Sequence, residues 1–295
     1  MSAGPIFLAG LGGSGKTPLR RALCRHPAIE ISRRTRLWRR FDGRFGDLCD
    51  PLNLERCLKA LCADPAVAAL DPDPARLRRD MAAAWPSYSL LFRRLHEHHV
   101  ERIGKRRWGE QYACAEADAE RLLTTLPDAK MIHLVGDPIA AHARAAGGGR
   151  DLPGRLGWAT AAWLASARLA VANRGRFGER YLVLRYEAFV AEPEQTLETV
   201  CAFVGEPYHP QLLEDVAFEP GPGPQDPVVA GVDGRFVRTV AGDLLASLGY
   251  EPPPTPPPVP WPRAAGRLAR RSVDRAAMAL RPAVGRTPTN PHQEV

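Results

Sequence analysis

The sequence predicts an α/β fold in which helices cover both faces of a central parallel sheet. Two observations predict it: short apolar runs alternate with long helical patterns, and a glycine-rich loop joins the first run to the first helix. Strands that alternate with helices favour a parallel sheet, because each crossover helix returns the chain to the same sheet edge. The length of 295 residues suits one such core with appendages.

The elements follow in chain order. Strand-like apolar runs occur at residues 6–10, 28–31, 131–135 and 181–184, of which 28–31 is the weakest. Helical patterns occur at residues 18–25, 76–103, 115–126, 155–173 and 193–204. Ligands of parallel sheets bind beyond the carboxyl ends of the strands. Polar clusters at residues 10–16, 136–137 and 185–187 lie at three such ends, so we expect them to share one cleft.

A mostly helical insertion is predicted at about residues 38–105, between the second and third strand-like runs. It is rich in arginine and aromatic residues, and it either shapes a substrate pocket or forms a plain helical cap. The polyproline stretch EPPPTPPPVPWP at 251–262 ends the folded body. The predicted organisation is one domain at 1–251, followed by a proline-rich spacer and basic C-terminal tail at 252–295.

Residues 10–17, GLGGSGKT, match the P-loop pattern G-x-x-x-x-G-K-[ST] between an apolar run and an amphipathic helix. Glycine tolerates positive φ, so successive backbone N–H groups can converge on one anion. The positive end of the following helix points at the same place, where Lys16 adds a charge. The sequence predicts a phosphate cradle formed by Gly12, Gly13, Ser14, Gly15, Lys16, Thr17 and Pro18.

The net charge of +7 is concentrated in the tail. From residue 252 onward the sequence contains seven arginines and two acidic residues. The tail therefore holds +5 of the net charge of +7 and leaves +2 for the body. A nearly neutral body argues against nucleic acid as a partner. The tail is interpreted as disordered, with a basic amphipathic helix that contacts membrane surfaces or an acidic partner weakly as the alternative.

Other patterns predict a cytoplasmic protein without a metal site. No apolar run approaches the roughly 20 residues of a membrane span, and no signal-peptide pattern begins the chain. Six scattered cysteines without a C-x-x-C pair indicate reduced thiols. The run HEHH at 96–99 is interpreted as a solvated helix face, because no second ligand cluster accompanies it.

Several motifs together resemble one known family. The loop GLGGSGKTPL at 10–19 is similar to GxPRSGTTxL, and PDAKMIHLVGDPIAAHARA at 127–145 is similar to PDARFIHLVRDPR. Residues 180–213 match a strand, an RYEDL turn and the following helix. WGEQ at 108–111 is similar to WGDK, and AGDLLASLGYEP at 241–252 to a closing helix. These motifs are those of the bacterial sulfotransferases, and the resemblance covers most of residues 5–252.

The resemblance implies a three-layer P-loop fold and an activity. The family transfers a sulfuryl group from 3′-phosphoadenosine-5′-phosphosulfate (PAPS) to a hydroxyl, here of a small molecule or glycan. The loop would hold the 5′-phosphosulfate, and Tyr186 falls where the tyrosine of the family approaches the adenine. A tyrosine packed at a strand end is the alternative for Tyr186.

The chain departs from the family at two donor positions. Gly13 stands where the family has a basic loop residue, so Lys16 is predicted to meet the charge of the sulfuryl group. Gly136 replaces the arginine of the RDP turn, which grips the 3′-phosphate. Eight residues on, Arg144 stands where the family has a serine for that phosphate. Because arginine binds phosphate in a bidentate way, Arg144 is predicted to replace both groups.

The acceptor base is the third departure. Arg34 stands where many members have a glutamate, and arginine cannot deprotonate a hydroxyl. The candidate substitutes are His26, Asp42, Asp47 and Glu110, and Lys16 and His26 are taken as the predicted catalytic pair. Two other functions stay open: a small-molecule kinase using ATP and magnesium, and a catalytically impaired nucleotide-binding protein. No strand ends in an acidic D-x-D pair for magnesium, which favours PAPS over ATP.

Overall fold

Five strands build the centre of the molecule. The computed structural model describes residues 4–33, 35–140, 155–214, 216, 218 and 232–250. The strands are β1 Ile6–Ala9, β2 Ile29–Arg33, β3 Arg107–Gln111, β4 Lys130–Val135 and β5 Tyr181–Arg185. All neighbouring pairs are parallel, in the order β2-β3-β1-β4-β5. The predicted α/β architecture with a central parallel sheet is confirmed.

The helices lie between and after these strands. They are α1 Lys16–Arg25, α2 Leu37–Arg40, α3 Pro51–Ala63, α4 Pro65–Ala68, α5 Pro74–Ala82, α6 Tyr88–Arg102, α7 Ala119–Thr125, α8 Arg155–Phe177, α9 Tyr186–Ala191, α10 Pro193–Val204 and α11 Val232–Ser247. Short 3-10 turns occur at Ala115–Asp118, Gly178–Arg180 and Pro210–Leu213. None of the described helices combines the length and apolarity needed to cross a bilayer.

The two faces of the sheet bury different halves of the core. Alternate strand residues point to opposite faces, so Phe7 and Met131 pack with the α3, α6 and α7 side. Ile6 and Ile132 pack with α1 and α10 on the other face. A third cluster joins the end of β4 to α8 and α11 through Trp163 and other apolar residues. This arrangement leaves the carboxyl edge of the sheet to the loops.

Strand β3 was not predicted, because its sequence RWGEQ lacks the apolar pattern of a central strand. Its charged side chains are accommodated by specific partners instead. Arg107 is buried and donates from Nη1 to the Val204 carbonyl at 2.6 Å, with Glu206 3.5 Å away. Glu110 accepts from the Thr35 hydroxyl. Buried charge with partners can therefore occupy a strand that periodicity misses.

The helical insertion is confirmed, with one difference. Within residues 38–105 the chain is helical from the α2 region through α6, and no strand occurs there. The single predicted helix 76–103 is two helices, α5 and α6, separated around Pro86. Proline disfavours helical geometry before it, and Ser87 then caps α6 by accepting from the Leu90 N–H at 3.2 Å.

The prediction of a solvated face for residues 96–99 is wrong. His96 is 1% exposed and stacks on Trp108, with ring centroids 4.4 Å apart. Burial lowers the pKa of His96 to about 3. His98 is also buried, with Nε2 2.6 Å from Asp80 Oδ2. These side chains are core residues, and the described part of the chain contains no group of three or more His, Cys, Asp or Glu side chains placed to hold a metal.

Two predicted features belong to the C-terminal part of the chain. The closing helix predicted at 241–252 is the C-terminal part of α11, which begins earlier, at Val232. The spacer and tail at 252–295 lie outside the described residues, together with the predicted membrane contact. All six cysteines lie inside the described residues and are free thiols.

Candidate active site

A cavity of about 310 Å³ opens at the carboxyl end of β1. This volume lies near the lower end of the range typical of small-molecule sites. It is lined by Leu11, Gly12, Gly13, Gly15, Lys16, Thr17, Pro18, Arg21, Gln111 and Tyr186. The structure therefore brings most of the predicted cradle together with Tyr186. Arg21 and Gln111 are additional lining residues that sequence reasoning missed.

Three glycines give the loop its shape. Gly10, Gly13 and Gly15 have φ values of 120°, 76° and 90°, a region that residues with a Cβ rarely adopt. Gly15 is the residue before α1, and no side chain caps that helix end. The first-turn N–H groups of a helix have no partner within the helix, so they are available to an anion in the cavity.

Tyr186 and Gly15 lie in close contact. A Cβ built on Gly15 would lie 2.0 Å from Cδ2 of Tyr186, well inside any tolerated separation. The Tyr186 ring is 2% exposed and also lines the cavity. Tyr186 thus packs at the end of β5 and also forms a wall of the cavity, and its approach to an adenine stays a prediction.

Lys16 turns its ammonium group towards the loop itself. Its Nζ donates to the Gly10 carbonyl and, at 2.5 Å, to the Leu11 carbonyl. Burial lowers the pKa of Lys16 to about 8, although the neighbouring Glu116 and Cys114 act in the opposite direction. The residue predicted to carry the catalytic charge is thus held against two backbone oxygens at the entrance of the P-loop.

Ser14 lies beneath the loop and not in the main cavity. Its side chain is 2% exposed and lines a small void of about 10 Å³ together with Ser166. Within the described residues, Ser14 Oγ has no hydrogen-bond partner. The hydroxyl predicted to serve the phosphate therefore faces the underside of the cradle in this structure.

A buried carboxylate supports the loop from below, and sequence reasoning missed it. Glu116 accepts from the Gly10 N–H at 2.9 Å through Oε2 and from the Ser166 hydroxyl at 2.6 Å through Oε1. Burial alone would raise the pKa of Glu116, but His133, Ser166 and Lys16 together lower it. No sequence signal distinguishes Glu116 from Asp118 or Glu120, because only the sheet order carries it to the loop.

The structure does not bring His26 to the cavity. His26 ends α1, and ten helical residues separate it from the loop by about 15 Å along the axis. Its ring is buried, with Nε2 2.9 Å from the Pro207 carbonyl and Nδ1 accepting from the Ala28 N–H. Both ring nitrogens thus have structural partners at the opposite edge of the sheet.

The other base candidates also lie outside the cavity lining. Asp42 pairs with Arg121 at 3.0 Å, and Asp47 accepts from the Cys49 N–H at 2.9 Å. Glu110 is fully buried, and the Thr35 hydroxyl and the N–H groups of residues 36 and 37 donate to it. Burial raises the pKa of Glu110 to about 7. Glu110 fixes the turn after β2, where the acceptor segment of the resemblance falls.

Contacts join two of the strand ends that the sequence predicts to share one cleft, while the common cleft of all three stays a prediction. Asp137 follows β4 and Glu187 follows β5, and the Asp137 N–H donates to Glu187 Oε1 at 2.8 Å. The Gly136 carbonyl accepts from Trp163 Nε1 at 2.9 Å. Asp137 Oδ1 accepts from the N–H groups of Ile139 and Ala140, as in a helix N-cap. Arg144, predicted further along this segment, lies outside the described residues.

The family model described as "Sulfotransferase family" matches residues 5–210. This match spans more than half of the chain, and the chain belongs to the sulfotransferase family. The predicted family and the predicted class of reaction, sulfuryl transfer, are thereby confirmed. The match does not favour the alternative of a small-molecule kinase.

Several solved sulfotransferase structures are similar to the chain. The chain is similar to the sulfotransferase domain of the Synechococcus PCC 7002 olefin synthase, with a TM-score of 0.50 and 20% identity over 93% of each chain. The sulfotransferase domain from the curacin biosynthetic pathway gives a TM-score of 0.48 and 19% identity, over 94% of this chain and 97% of that one. The sulfotransferase from Alicyclobacillus acidocaldarius gives a TM-score of 0.48 and 20% identity, over 85% of this chain and 98% of that one. No curated protein matches the chain.

Proposed function

We propose that this sulfotransferase uses PAPS as its donor and a hydroxyl group of a small molecule or glycan as its acceptor. One observation carries the proposal: the cavity at the carboxyl end of β1 is walled by the glycine loop, the start of α1 and Tyr186. Backbone N–H groups and a helix N-terminus suit the phosphosulfate, and an aromatic wall suits the base of a nucleotide. The cytoplasm is the proposed location, since six free thiols suit a reducing compartment.

In this proposal different residues bind different parts of the donor. Gly12, Gly13, Gly15 and Thr17 hold the 5′-phosphosulfate, while Tyr186 lies beside the adenine. Arg144 binds the 3′-phosphate, because Gly136 offers no side chain at the position of the family arginine.

The reaction itself needs charge stabilisation more than covalent help. The acceptor oxygen forms a bond to sulfur while the bond between sulfur and the phosphate oxygen breaks, and adenosine-3′,5′-bisphosphate leaves. Among the described residues, two cationic side chains line the cavity, Lys16 at the loop and Arg21 further along α1. In this proposal Lys16 stabilises charge that develops on the phosphosulfate. The acceptor proton leaves to solvent or to a base that the described residues do not identify.

Donor choice is tested by thermal shift. Adenosine-3′,5′-bisphosphate should raise the melting temperature well above the effect of AMP, because selective binding stabilises the folded state by RT ln(1 + [L]/Kd). ATP with magnesium should resemble AMP. Equal shifts for the bisphosphate and AMP would refute the 3′-phosphate assignment, and a dominant shift with ATP and magnesium would favour a kinase.

A variant of Arg144 tests the proposed replacement. Arg144→Ala should weaken binding of adenosine-3′,5′-bisphosphate by about 10- to 100-fold, as expected for the loss of a charge-assisted pair, and should leave AMP binding nearly unchanged. Arg174→Ala, at an exposed position near the end of α8, is the matched control. Equal weakening of both ligands, or of neither, would show that Arg144 does not bind the 3′-phosphate.

A further inference from the structure

A chain of buried hydrogen bonds ends on Glu116. Asn173 Nδ2 lies 3.3 Å from the Tyr181 hydroxyl, which lies 2.8 Å from His133 Nδ1. His133 Nε2 lies 3.1 Å from Ser166 Oγ, which lies 2.6 Å from Glu116 Oε1. An amide nitrogen can only donate, so the first bond points towards Tyr181.

The direction of these hydrogen bonds follows from the Glu116 end. The Ser166 hydroxyl has a single proton and donates it to Glu116 Oε1, so His133 Nε2 donates to Ser166, and Nδ1 of a neutral His133 accepts from the Tyr181 hydroxyl. The second oxygen of Glu116 accepts from the Gly10 N–H. Both oxygens accept, which suits an ionised carboxylate and not a protonated acid. His133 stays neutral in this series of hydrogen bonds, because burial lowers its pKa to about 4.

A buried carboxylate needs a nearby cation, because an unpaired charge is costly in a protein interior. Lys16 fills this position. Its ammonium group binds the Gly10 carbonyl while Glu116 binds the Gly10 N–H, so the two charged side chains hold one loop residue from both ends. The titratable groups around Lys16 are Glu116, Cys114 and His133.

We propose that Glu116 is a positioning residue. It keeps Lys16 cationic and fixes the conformation of Gly10, the first residue of the P-loop. The mechanistic part of this inference rests on the proposed function, in which Lys16 stabilises the phosphosulfate. Its electrostatic part does not, because the charge of Lys16 can be measured without a donor or an acceptor.

The test is direct titration of the lysine side chains by NMR. The chain has four lysines, Lys16, Lys59, Lys105 and Lys130, so protein labelled with ¹³C at lysine Cε gives a small set of signals, and Lys16→Arg assigns one of them. Lys16 should titrate near pH 8 in the unmodified protein. In Glu116→Gln it should titrate on the order of one pH unit lower, because an opposite charge nearby has been removed.

Matched variants separate charge from packing. Glu120→Gln removes an exposed carboxylate that pairs with Arg176, so the Lys16 titration should not change. Glu116→Asp keeps the charge with a shorter side chain, so Lys16 should titrate closer to its original midpoint than in Glu116→Gln. If Glu116→Gln does not fold, a Lys16 midpoint in Glu116→Asp that matches the unmodified protein supports the proposal, and one lowered by a full unit overturns it. An unchanged midpoint in folded Glu116→Gln also overturns it.

The same variants connect the charge to turnover. The alkaline limb of the pH profile of kcat/KM should move to lower pH in Glu116→Gln and should disappear in Lys16→Arg, whose guanidinium stays charged. A shifted NMR midpoint with an unshifted kcat/KM limb would refute the role of Lys16 in transfer and leave the electrostatic inference intact. Failure of the bisphosphate thermal shift would instead refute the donor assignment, so the two proposals fail separately.

Discussion

Glu110 and Glu116 are both enclosed carboxyl groups, yet their pKa values shift in opposite directions. For Glu116, burial is outweighed by His133, Ser166 and Lys16, so its pKa is lowered. For Glu110, burial prevails over the hydrogen bonds from Thr35 and residues 36 and 37, and its pKa rises to about 7. Glu110 Oε2 has no hydrogen-bond partner within the described residues. Burial alone therefore does not fix the charge state of a carboxyl group, because nearby charges and hydrogen bonds decide the direction of the pKa shift.

Replacing Glu110 tests this difference through the pH dependence of stability. The pKa is about 7 in the fold against an ordinary value of 4.5, so the folded protein binds this proton more tightly. The contribution to stability is therefore full below about pH 4.5 and is lost as the pH rises through about 7. The free energy of unfolding of Glu110→Gln, relative to that of the unmodified protein, should rise by on the order of 1–3 kcal/mol between pH 5 and pH 8. Urea unfolding at the two pH values measures it.

Glu116 serves as the control for Glu110, because its pKa is shifted in the opposite direction. A lowered pKa in the fold contributes stability above the ordinary value and loses it as the pH falls. Glu116→Gln should therefore be less stable than the unmodified protein at pH 8, with a smaller difference in acid. A parallel response of the two variants would contradict the assigned charge states.

The site residues that could be predicted are those with a local sequence pattern. The loop glycines and Lys16 belong to one continuous motif, and Tyr186 lies in a segment that matches the family closely. Glu116 and Gln111 could not be found, because they reach the loop only through the placement of β3 beside β1. His26 was misplaced for a related reason: residue types do not show that α1 carries it to the far edge of the sheet.

At the scale of elements, the contact between α1 and the end of β5 depends on a missing side chain. Gly15 combines a φ of 90° with a position where a Cβ would overlap the Tyr186 ring. Relief would require movement of a buried ring or of the loop. The contact therefore fixes the distance between the start of α1 and the start of α9.

Gly15→Ala should accordingly destabilise the protein by at least 1–3 kcal/mol, which lowers the melting temperature by several degrees. Gly12→Ala is the matched control, since Gly12 has an ordinary φ and a Cβ there meets nothing within 4 Å. Thermal unfolding without ligand measures both. A melting temperature for Gly15→Ala equal to that of Gly12→Ala would show that the ring moves away at little cost.

The sheet was predictable where its strands are apolar and not where they are polar. The runs that became β1, β4 and β5 carry apolar residues on both faces, as buried parallel strands require, and β2 carries Ile29 and Ile31 on one face. Strand β3 carries Arg107, Glu110 and Gln111, and its charged groups are balanced by residues distant in sequence, such as Glu206. No local pattern reports such long-range partners. The predicted helix spanning α5 and α6 failed at Pro86, where the local signal was present.

At the scale of the whole molecule, Tyr250 ties the C-terminal end of the described body to the sheet. Its hydroxyl donates to Glu187 Oε2 at 2.9 Å and lies 3.2 Å from the Val135 carbonyl. Arg185 lies 4.4 Å from the centroid of its ring and donates to the Gly249 carbonyl. The last residues described therefore contact the ends of two strands, close to the predicted domain boundary at residue 251.

Removal of the tail tests that boundary. Deleting residues 261–295 should leave the melting temperature and the affinity for adenosine-3′,5′-bisphosphate unchanged, because the contacts of Tyr250 and the polyproline spacer are kept. Binding to anionic vesicles should fall, since the deleted segment carries the seven arginines of the tail. A lower melting temperature would show that the tail packs on the body, and retained vesicle binding would place that surface elsewhere.

The anchoring of Tyr250 also sets an order of events during protein synthesis. Ribosomes add about 5–20 residues per second, so the P-loop leaves the ribosome on the order of ten seconds before Tyr186 and Tyr250 exist. Until then Gly15 has no ring against it, and Glu187 has no hydroxyl to join the ends of β4 and β5. The nascent chain thus carries the glycine loop long before it carries the cavity wall that Tyr186 forms, and the contact of Tyr250 with the ends of β4 and β5 is made last.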